Sequence, residues 1–588
     1  MSALKDELER LIAEAVRSLS GSLLPDGVDP AAINVERARD AEHGDFASNV
    51  ALRLAKQARR PPRQLAEAIV AALPASPLVA RVEVAGAGFI NFHLASNAQN
   101  AVLRSVLEQA ERFGRSERSG GDPLIIEFVS ANPTGPLHVG HGRQAAYGAT
   151  LANLLSAVGF RVHREFYIND AGRQMDILAV STWLRYLEQC GETLPFPSNG
   201  YRGDYVRALA DKLYQRRGRE LYRSAAEVLS GLPEDAPAGD KELYVDALIA
   251  RMTVLIGEDG RRDVYDMALG AMLADMRQDL ADFGVEFDTW VSERELARSG
   301  AVEHAIETLK AKGALYDKDG AVWFRATQYG DDEDRVLIRS NGVKTYFAPD
   351  IAYHLQKCER GFKRLIDVLG ADHHGYVARI RGALSAMGQD GDALEACLIQ
   401  FVSLFRGGEK IAMGKREGQF VTLRQLLLEV GSDACRLFYL MRSHDQPLDF
   451  DLELAKSRSN ENPVYYIQYA HARVASVLRQ LTARGLHYDQ SVALESLQRL
   501  DNAHEQATLR ELARYPEVIQ QAALGRAPHA LVHYLRELAT AFHTWYNAAT
   551  FIVEETALRN ARLALALGVR QVIRNGLTLL GVSAPDSM

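Results

Sequence analysis

Two histidines three residues apart, His138 and His141, stand in Thr134-Gly135-Pro136-Leu137-His138-Val139-Gly140-His141-Gly142-Arg143. The apolar run Pro123 to Val129 precedes them and a helical pattern follows. They therefore lie where a strand hands over to a helix, the place at which α/β proteins bind phosphates. A spacing of three sends both imidazoles to one side of the helix start, whose first amides lack partners and carry partial positive charge. Backbone donors and two imidazoles can hold a polyphosphate there and stabilise the charge that grows during attack at its α-phosphorus. Gly140 and Gly142 let a nucleotide lie against the backbone. A histidine-containing helix cap is the competing reading; metal ligation lacks a third ligand nearby. Gly140 to Ala145 also fits G-x-G-x-x-A, with Glu165 about twenty residues on, but ten residues separate the strand from the first glycine and a dinucleotide turn needs none. No P-loop element is present.

A second glycine-bearing loop, Arg406 to Gly418, places Lys410, Lys415 and Arg416 within seven residues, able to close over a leaving pyrophosphate. Tyr346 and Asp350, four apart, stand before a helix expected to begin near Ile351; the carboxylate there can hold a guanidinium bidentately. An Asp helix cap with a core Tyr is the competing reading.

The elements that must position these residues follow from pattern. Residues 1–115 read as a small α/β unit, with helices over Lys5 to Leu19, Phe46 to Arg59 and Pro62 to Ala72, then two alternating strands, and a glycine-rich linker over Gly114 to Gly121. Residues 116–454 read as an α/β core: a helix from about Gly142 to Val158, a strand Arg161 to Ile168, and a largely helical insertion over about 175–335 with short strands at 321–324 and 335–338. The pattern resumes at Leu365 to Gly370. Residues 455–588 read as all helical. A net charge of -8 hides a local +3 after Ala455, from 14 Lys+Arg against 11 Asp+Glu, so the remainder carries -11. That permits an RNA-facing surface in the last domain. On a helical wheel Arg559, Arg562, Arg570 and Arg574 share an arc of about 120° beside an apolar face, which reads either as a solvated flank or as a phosphate-contacting one. No stretch of eighteen uncharged apolar residues exists and the first ten residues carry acids, so neither a membrane span nor a signal peptide is expected. Four scattered cysteines fit a reducing compartment, with cytoplasm the default.

Taken together these segments resemble the class I aminoacyl-tRNA synthetases, and among them the arginyl-tRNA synthetases of bacterial type. His138-Val139-Gly140-His141 is similar to the HIGH signature, and Met413-Gly414-Lys415-Arg416, within 410–418, to the KMSKS loop. Glu127 to Pro133, Tyr167 to Gly172, Tyr346 to Asp350, Gly431 to Arg436, Asn575 to Gly581 and His43 to Asn49 match arginyl-specific features, so the resemblance covers nearly the whole chain.

The resemblance implies a multidomain α/β protein. Its parts are a Rossmann-like parallel-sheet catalytic core with an inserted subdomain, an N-terminal α/β domain that touches the tRNA elbow, and a C-terminal all-α anticodon-binding bundle. It implies an arginine-tRNA ligase using ATP and Mg²⁺, with activation dependent on bound arginine tRNA, no DNA or membrane partner, and a monomeric chain. It places L-arginine against Glu127, Ser130 and Asn132 at its α-end and against Tyr346 and Asp350 at its guanidinium, with His373 nearby. ATP phosphates fall to His138, His141 and Lys415, with Gly140, Gly142, Met413, Arg416 and Lys410 around the nucleotide. The tRNA falls to Arg559, Arg562, Arg570, Arg574, Trp545, Tyr546 and Met588. One departure stands out: Ala412 occupies the place of the loop's first lysine, so Lys410 or Arg416 is expected to supply that charge. The alternative is a catalytically inactive, synthetase-derived RNA-binding protein.

Overall fold

The computed structural model describes residues 4–25, 27, 33–38, 43–95, 98–117, 119–373, 375–411 and 421–588, without the side chains of Asp6 and His373. It divides into two compact units: Glu117–Arg458 with Leu580–Val582, and Met1–Ser116 with Ser459–Leu579 and Ser583–Met588.

The first of these is built on a five-stranded parallel sheet. Its strands, in chain order, are Pro123–Phe128, Arg161–Ile168, Thr289–Ser292, Arg364–Gly370 and Leu394–Ile399. Numbered that way they stand 3-2-1-4-5, so the order reverses between the first and the fourth strand. In a doubly wound sheet the crevice beyond the carboxyl ends at that reversal is where ligands bind. The first and fourth strands are apolar between their ends, as helix-covered parallel strands must be, except for one row of acids that continues into the second strand: Glu127 pairs in register with Asp367 on one side and Glu165 on the other. The Val139–Ala157 helix lies directly on the first strand. Gly148 permits the approach, since a Cβ there would stand 2.3 Å from the Phe128 ring.

The third strand, Thr289–Ser292, escapes sequence pattern because its four residues, between a long helix and a six-residue one, show no usable alternation. The insertion ahead of it is helical, ending in the long Lys241–Asp282 element, which breaks at Gly257 (φ 77°). After it, Leu315–Lys318, Ala321–Phe324 and Arg335–Ile338 form a separate antiparallel sheet.

The other unit joins the two ends of the chain, which the sequence reading separated. Its antiparallel sheet runs Val35–Arg37, Phe46–Ser48, Phe89–Leu94, Val79–Ala85. Phe46–Ser48 is thus a strand rather than the start of a helix; pairing with Phe89–Leu94 buries Phe46 completely, and the helix begins at Val50. Four long helices follow Ser459: Pro463–Ala483, Ala503–Leu524, Pro528–Ala548 and Thr556–Leu580. Arg37 binds Glu517 through Nε at 2.9 Å, and Asn575 donates to the Ala110 carbonyl at 2.8 Å. The Thr556–Leu580 helix is long and apolar enough to cross a bilayer by composition, yet 72% of its most apolar window is buried inside the unit.

Candidate active site

A cavity of about 700 Å³ opens at the sheet reversal. Its lining comes from the carboxyl end of the first strand and the following loop (Glu127, Ser130, Asn132), and from the start of the first helix (His138, Gly140, His141). The ends of the fourth and fifth strands contribute Gly370 and Gln400–Val402. The chain turns into the site through strained backbone: Val129 and Ser130 both have positive φ, at 70° and 38°. Neither is a glycine, so the surrounding contacts must enforce that conformation. They do so through Ser130, whose Oγ donates to Glu127 Oε1 at 2.8 Å and accepts the Tyr167 amide at 3.1 Å.

The histidine pair makes the helix cap of the competing reading. His138 is the N-cap of the Val139–Ala157 helix; its Nδ1 accepts the Gly140 amide at 3.1 Å, and His141 Nδ1 accepts the His138 amide at 3.2 Å. The rings stack with centroids 3.7 Å apart. An Nδ1 that accepts a backbone N–H carries no proton, so in each neutral ring the donor is Nε2. The cap therefore fixes the tautomer with its proton on Nε2, an atom that is buried in His138, while consuming backbone amides expected to bind phosphate directly. The glycines are also reassigned. Gly140 lines the cavity, but a Cβ there would meet the His138 ring at 3.0 Å. Gly142 does not line it: a Cβ would strike Tyr439 and Leu423 at 2.8 and 2.9 Å, so its small size serves interior packing rather than a nucleotide.

Asp350 sits in the first turn of a helix that begins at Phe347, earlier than expected, and it does not cap that helix. Burial pushes its carboxyl up to about 7; His354 opposes this, and Glu293, Glu127 and Asp367 add to it. Glu293, 8% exposed, lines the same cavity, and its carboxyl is raised by burial and by Asp170. Neither carboxylate makes an ion pair among the described residues. Tyr346 stands on the rim, 71% exposed, whereas the aromatic walls are Tyr167 and Tyr376, both with hydroxyls raised by burial among acids. Asn132 Nδ2 donates to Gln174 Oε1 at 3.1 Å.

Glu127, His354 and Asp367 approach closely enough to suggest a metal. The space is filled by the buried Lys357, whose Nζ donates to Glu127 Oε2 at 2.6 Å and Asp367 Oδ1 at 3.0 Å. Glu165, last of the acid row, is held by Arg360 at 2.6 Å and Tyr353 at 2.9 Å. Arg143, 1% exposed, donates to the carbonyls of Gln400, Gln446 and Ser443 and so fixes the strap that carries Gln400–Val402 into the cavity.

Lys415, Met413 and Arg416 lie outside the described residues, as does the side chain of His373. The ends of the 412–420 segment are placed. Ile411 bonds to Leu404, and Val421–Leu423 pairs with Leu137–Val139, through the Val139 amide to Val421 and the Leu423 amide to Leu137 at 2.8 Å. The loop therefore returns to the chain beside the histidines. Lys410 is exposed on a hairpin and does not line the cavity.

The arginine arc of the last helix faces its own unit. Arg559 donates to the carbonyls of Val553 and Glu554, at 2.9 and 3.0 Å. Arg562 pairs with the buried Glu505 at 2.7 Å, and Arg570 with Asp586 at 2.7 Å. Arg574 lies 3.7 Å from the same Asp586, and Trp545 is wholly buried. Arg559 and Arg562 are thus turned inward, against the expectation of a phosphate-facing arc, whereas Arg574 remains 40% exposed beside Asp586. Tyr546 is half-buried and Met588 is 52% exposed.

Tyr167, Glu293, Tyr376 and Lys357 were missed as site residues. Tyr167 lies inside a segment already singled out; Glu293 follows the strand that pattern could not reveal.

A 3-2-1-4-5 parallel sheet with a capped histidine pair after its first strand is the core of a class I aminoacyl-tRNA synthetase. In accord, residues 102–194 and 254–445 match the family model described as tRNA synthetases class I (R), catalytic domain. Residues 6–94 match the arginyl tRNA synthetase N terminal domain, and 467–588 the DALR anticodon binding domain. An arginine–tRNA ligase of Thioalkalivibrio sulfidiphilus is 58% identical over 100% of both chains, and one of Coxiella burnetii is 50% identical over 100% of both. A solved structure from Campylobacter jejuni, titled as a putative arginyl tRNA synthetase, is 32% identical with a TM-score of 0.72, covering 84% of this chain and 100% of its own. The chain belongs to the arginyl-tRNA synthetase family, of bacterial type.

Proposed function

We propose that the cavity at the sheet reversal holds L-arginine and ATP·Mg²⁺ side by side and that adenylate formation takes place between them. The activity is arginine–tRNA ligation: arginine is activated with ATP to arginyl-adenylate and pyrophosphate, and the arginyl group passes to the terminal adenosine of its tRNA. The observation that carries the arginine assignment is the carboxylate pair Asp350 and Glu293, both raised by burial and both lining the cavity. A guanidinium supplies the missing counter-charge and satisfies two carboxylates with its fork of donors. Tyr167 and Tyr376 flank it, and Tyr346 covers it from the rim.

The α-ammonium goes to Glu127, with Ser130 fixing that carboxylate and Asn132, braced by Gln174, near the α-carboxylate. Nε2–H of His138 and His141 donates to the ATP phosphates, and these donors gain strength as negative charge builds at the α-phosphorus. Gly140 keeps the His138 ring in place rather than contacting the nucleotide through its own surface. Lys415, with Met413 and Arg416 in the same loop, acts on the departing pyrophosphate. Between the two suppliers of the absent loop charge, the exposed hairpin position of Lys410 favours Arg416. Mg²⁺ arrives with the nucleotide.

Activation awaits bound tRNA. The N-terminal segment meets the tRNA elbow, the helical segment its anticodon. There Tyr546 and Met588 remain as contacts, beside Arg473, whose guanidinium lies over the Tyr469 and Tyr546 rings at 4.4 and 4.6 Å, an arrangement suited to base stacking. The chain acts as a monomer in the cytoplasm. An inactive RNA-binding relative is disfavoured by the intact cavity. Pyrophosphate exchange measured with each amino acid, with and without tRNA, tests the reading: arginine-dependent exchange that needs tRNA is expected, and none with arginine would overturn it.

A further inference from the structure

Beneath the cavity floor, behind Glu127, lie Lys357, His354 and Asp367, side chains that the chemistry above does not use. Lys357 is completely buried on the Phe347–Glu359 helix, with Nζ 2.6 Å from Glu127, 3.0 Å from Asp367 and 4.2 Å from the centre of the Tyr353 ring. His354, one turn earlier, has Nε2 2.8 Å from Asp367 Oδ2 and Nδ1 2.8 Å from the Asp350 carbonyl. Both of its ring nitrogens face oxygen atoms. At this end two carboxylates, Glu127 and Asp367, are answered by the Lys357 ammonium and the His354 ring. At the other end Asp350 and Glu293 have no ion-pair partner among the described residues.

Arginine has the same asymmetry. Its α-end carries an ammonium and a carboxylate and is neutral overall, whereas its guanidinium is a lone positive charge. We propose that Lys357 is a positioning residue that matches the floor to this asymmetry. By offsetting the charge of the Glu127–Asp367 pair it makes the α-end subsite fit a zwitterion, reserves uncompensated negative charge for the guanidinium, and so sets the direction in which arginine lies. The register supports this. Glu127 and Asp367 are paired residues on adjacent strands at the sheet reversal, and two buried carboxylates side by side need a cation between them. Holding Lys357 on Glu127 Oε2 while Ser130 holds Oε1 also fixes the plane of the carboxylate that receives the ammonium.

The inference rests on the cavity being the arginine site, and its test uses a ligand whose charge differs only at the α-end. Agmatine, which lacks the α-carboxylate, is positive at both ends. Arginine-dependent pyrophosphate exchange with tRNA present gives the arginine KM, and agmatine inhibition of the same exchange gives its Ki. In K357M the α-end gains net negative charge, so the ratio of arginine KM to agmatine Ki rises about tenfold, the size of effect expected for one differential charge contact. In D367N the α-end gains net positive charge and the ratio moves the other way. The double variant K357M/D367N restores the balance and returns the ratio to within about threefold of the wild type. A lysine needed only for packing leaves the ratio unchanged in K357M and makes the double variant worse than either single one; either result overturns the proposal. Should K357M not fold, D367N alone decides, and an unchanged ratio there overturns it. Absence of arginine-dependent exchange in the wild-type enzyme strikes the functional reading instead.

Discussion

Two regions of this chain carry basic side chains at helical spacing that read as phosphate-facing, and they have opposite fates. His138 and His141 cap the Val139–Ala157 helix and line an open cavity at the sheet reversal. Arg559, Arg562, Arg570 and Arg574 lie along a helix whose neighbours supply carbonyls and the carboxylates of Glu505 and Asp586. The difference lies in what surrounds them. A cation paired with a carboxylate has its charge answered by the fold, whereas the histidine pair has its tautomer set by the backbone at the edge of a cavity. Cationic residues alone therefore do not mark a nucleic-acid surface; the pairing must be known.

The contrast can be broken at either side. Replacing both histidines, H138A/H141A, removes two donors to developing charge and is expected to slow arginyl-adenylate formation by about a thousandfold, judged from single-donor losses of 10²–10³. Single-turnover measurement with tRNA bound checks it, and a loss below tenfold would reduce the pair to a helix cap. On the other side, R562A leaves Glu505, which is fully buried, without its partner, and a loss of about 3 kcal/mol in stability is expected. Denaturant unfolding reads that loss, while adenylate formation at low temperature stays near the wild-type rate.

Asp350 gives a pH signature to the cavity alone. With its carboxyl pushed up to about 7 by burial, the acid is largely protonated below that pH, and guanidinium binding must expel the proton. The arginine KM is therefore expected to rise as pH falls through 7, by about tenfold between pH 8 and pH 6. A flat profile would remove Asp350 from the guanidinium site. The same sign governs stability. A carboxyl raised in the folded state favours folding most when protonated, so D350N is expected to unfold at a higher temperature than wild type at pH 8 while losing arginine-dependent exchange. The smallest effect belongs to R570A. Its pair with Asp586 is partly exposed, and less than about 1 kcal/mol of stability is expected to go with it. The salt dependence of tRNA affinity, measured by filter binding, should keep its slope; a slope reduced by one would return this arginine to the RNA surface.

Legibility followed the range of the interaction. The strand-to-helix handover at His138 was readable because strand, turn and helix are adjacent in sequence. Asp350 was readable as a candidate, but not its helix position, because Pro349 masks a helix that starts at Phe347 and tolerates proline in its first turn. Phe46–Ser48 has an apolar pattern that suits a helix until its partner strand, forty residues away, is known. Glu293 and Tyr376 enter the cavity only because distant strands and helices bring them there.

The sequence by itself determined the chemical types: paired histidines at a helix start, a basic glycine-bearing loop, an aspartate four residues from a tyrosine, and alternating patterns that demand a parallel α/β core. Those follow from local geometry and side-chain chemistry. Only the tertiary structure decided which charges are answered internally. It answered Arg559, Arg562 and Arg570 with backbone carbonyls, Glu505 and Asp586. It set Lys357 between Glu127 and Asp367, and it left Asp350 and Glu293 facing the cavity. Electrostatic partners are chosen by proximity in space, and residues such as Lys357 and Glu127, 230 positions apart, acquire their meaning only when the sheet brings them together.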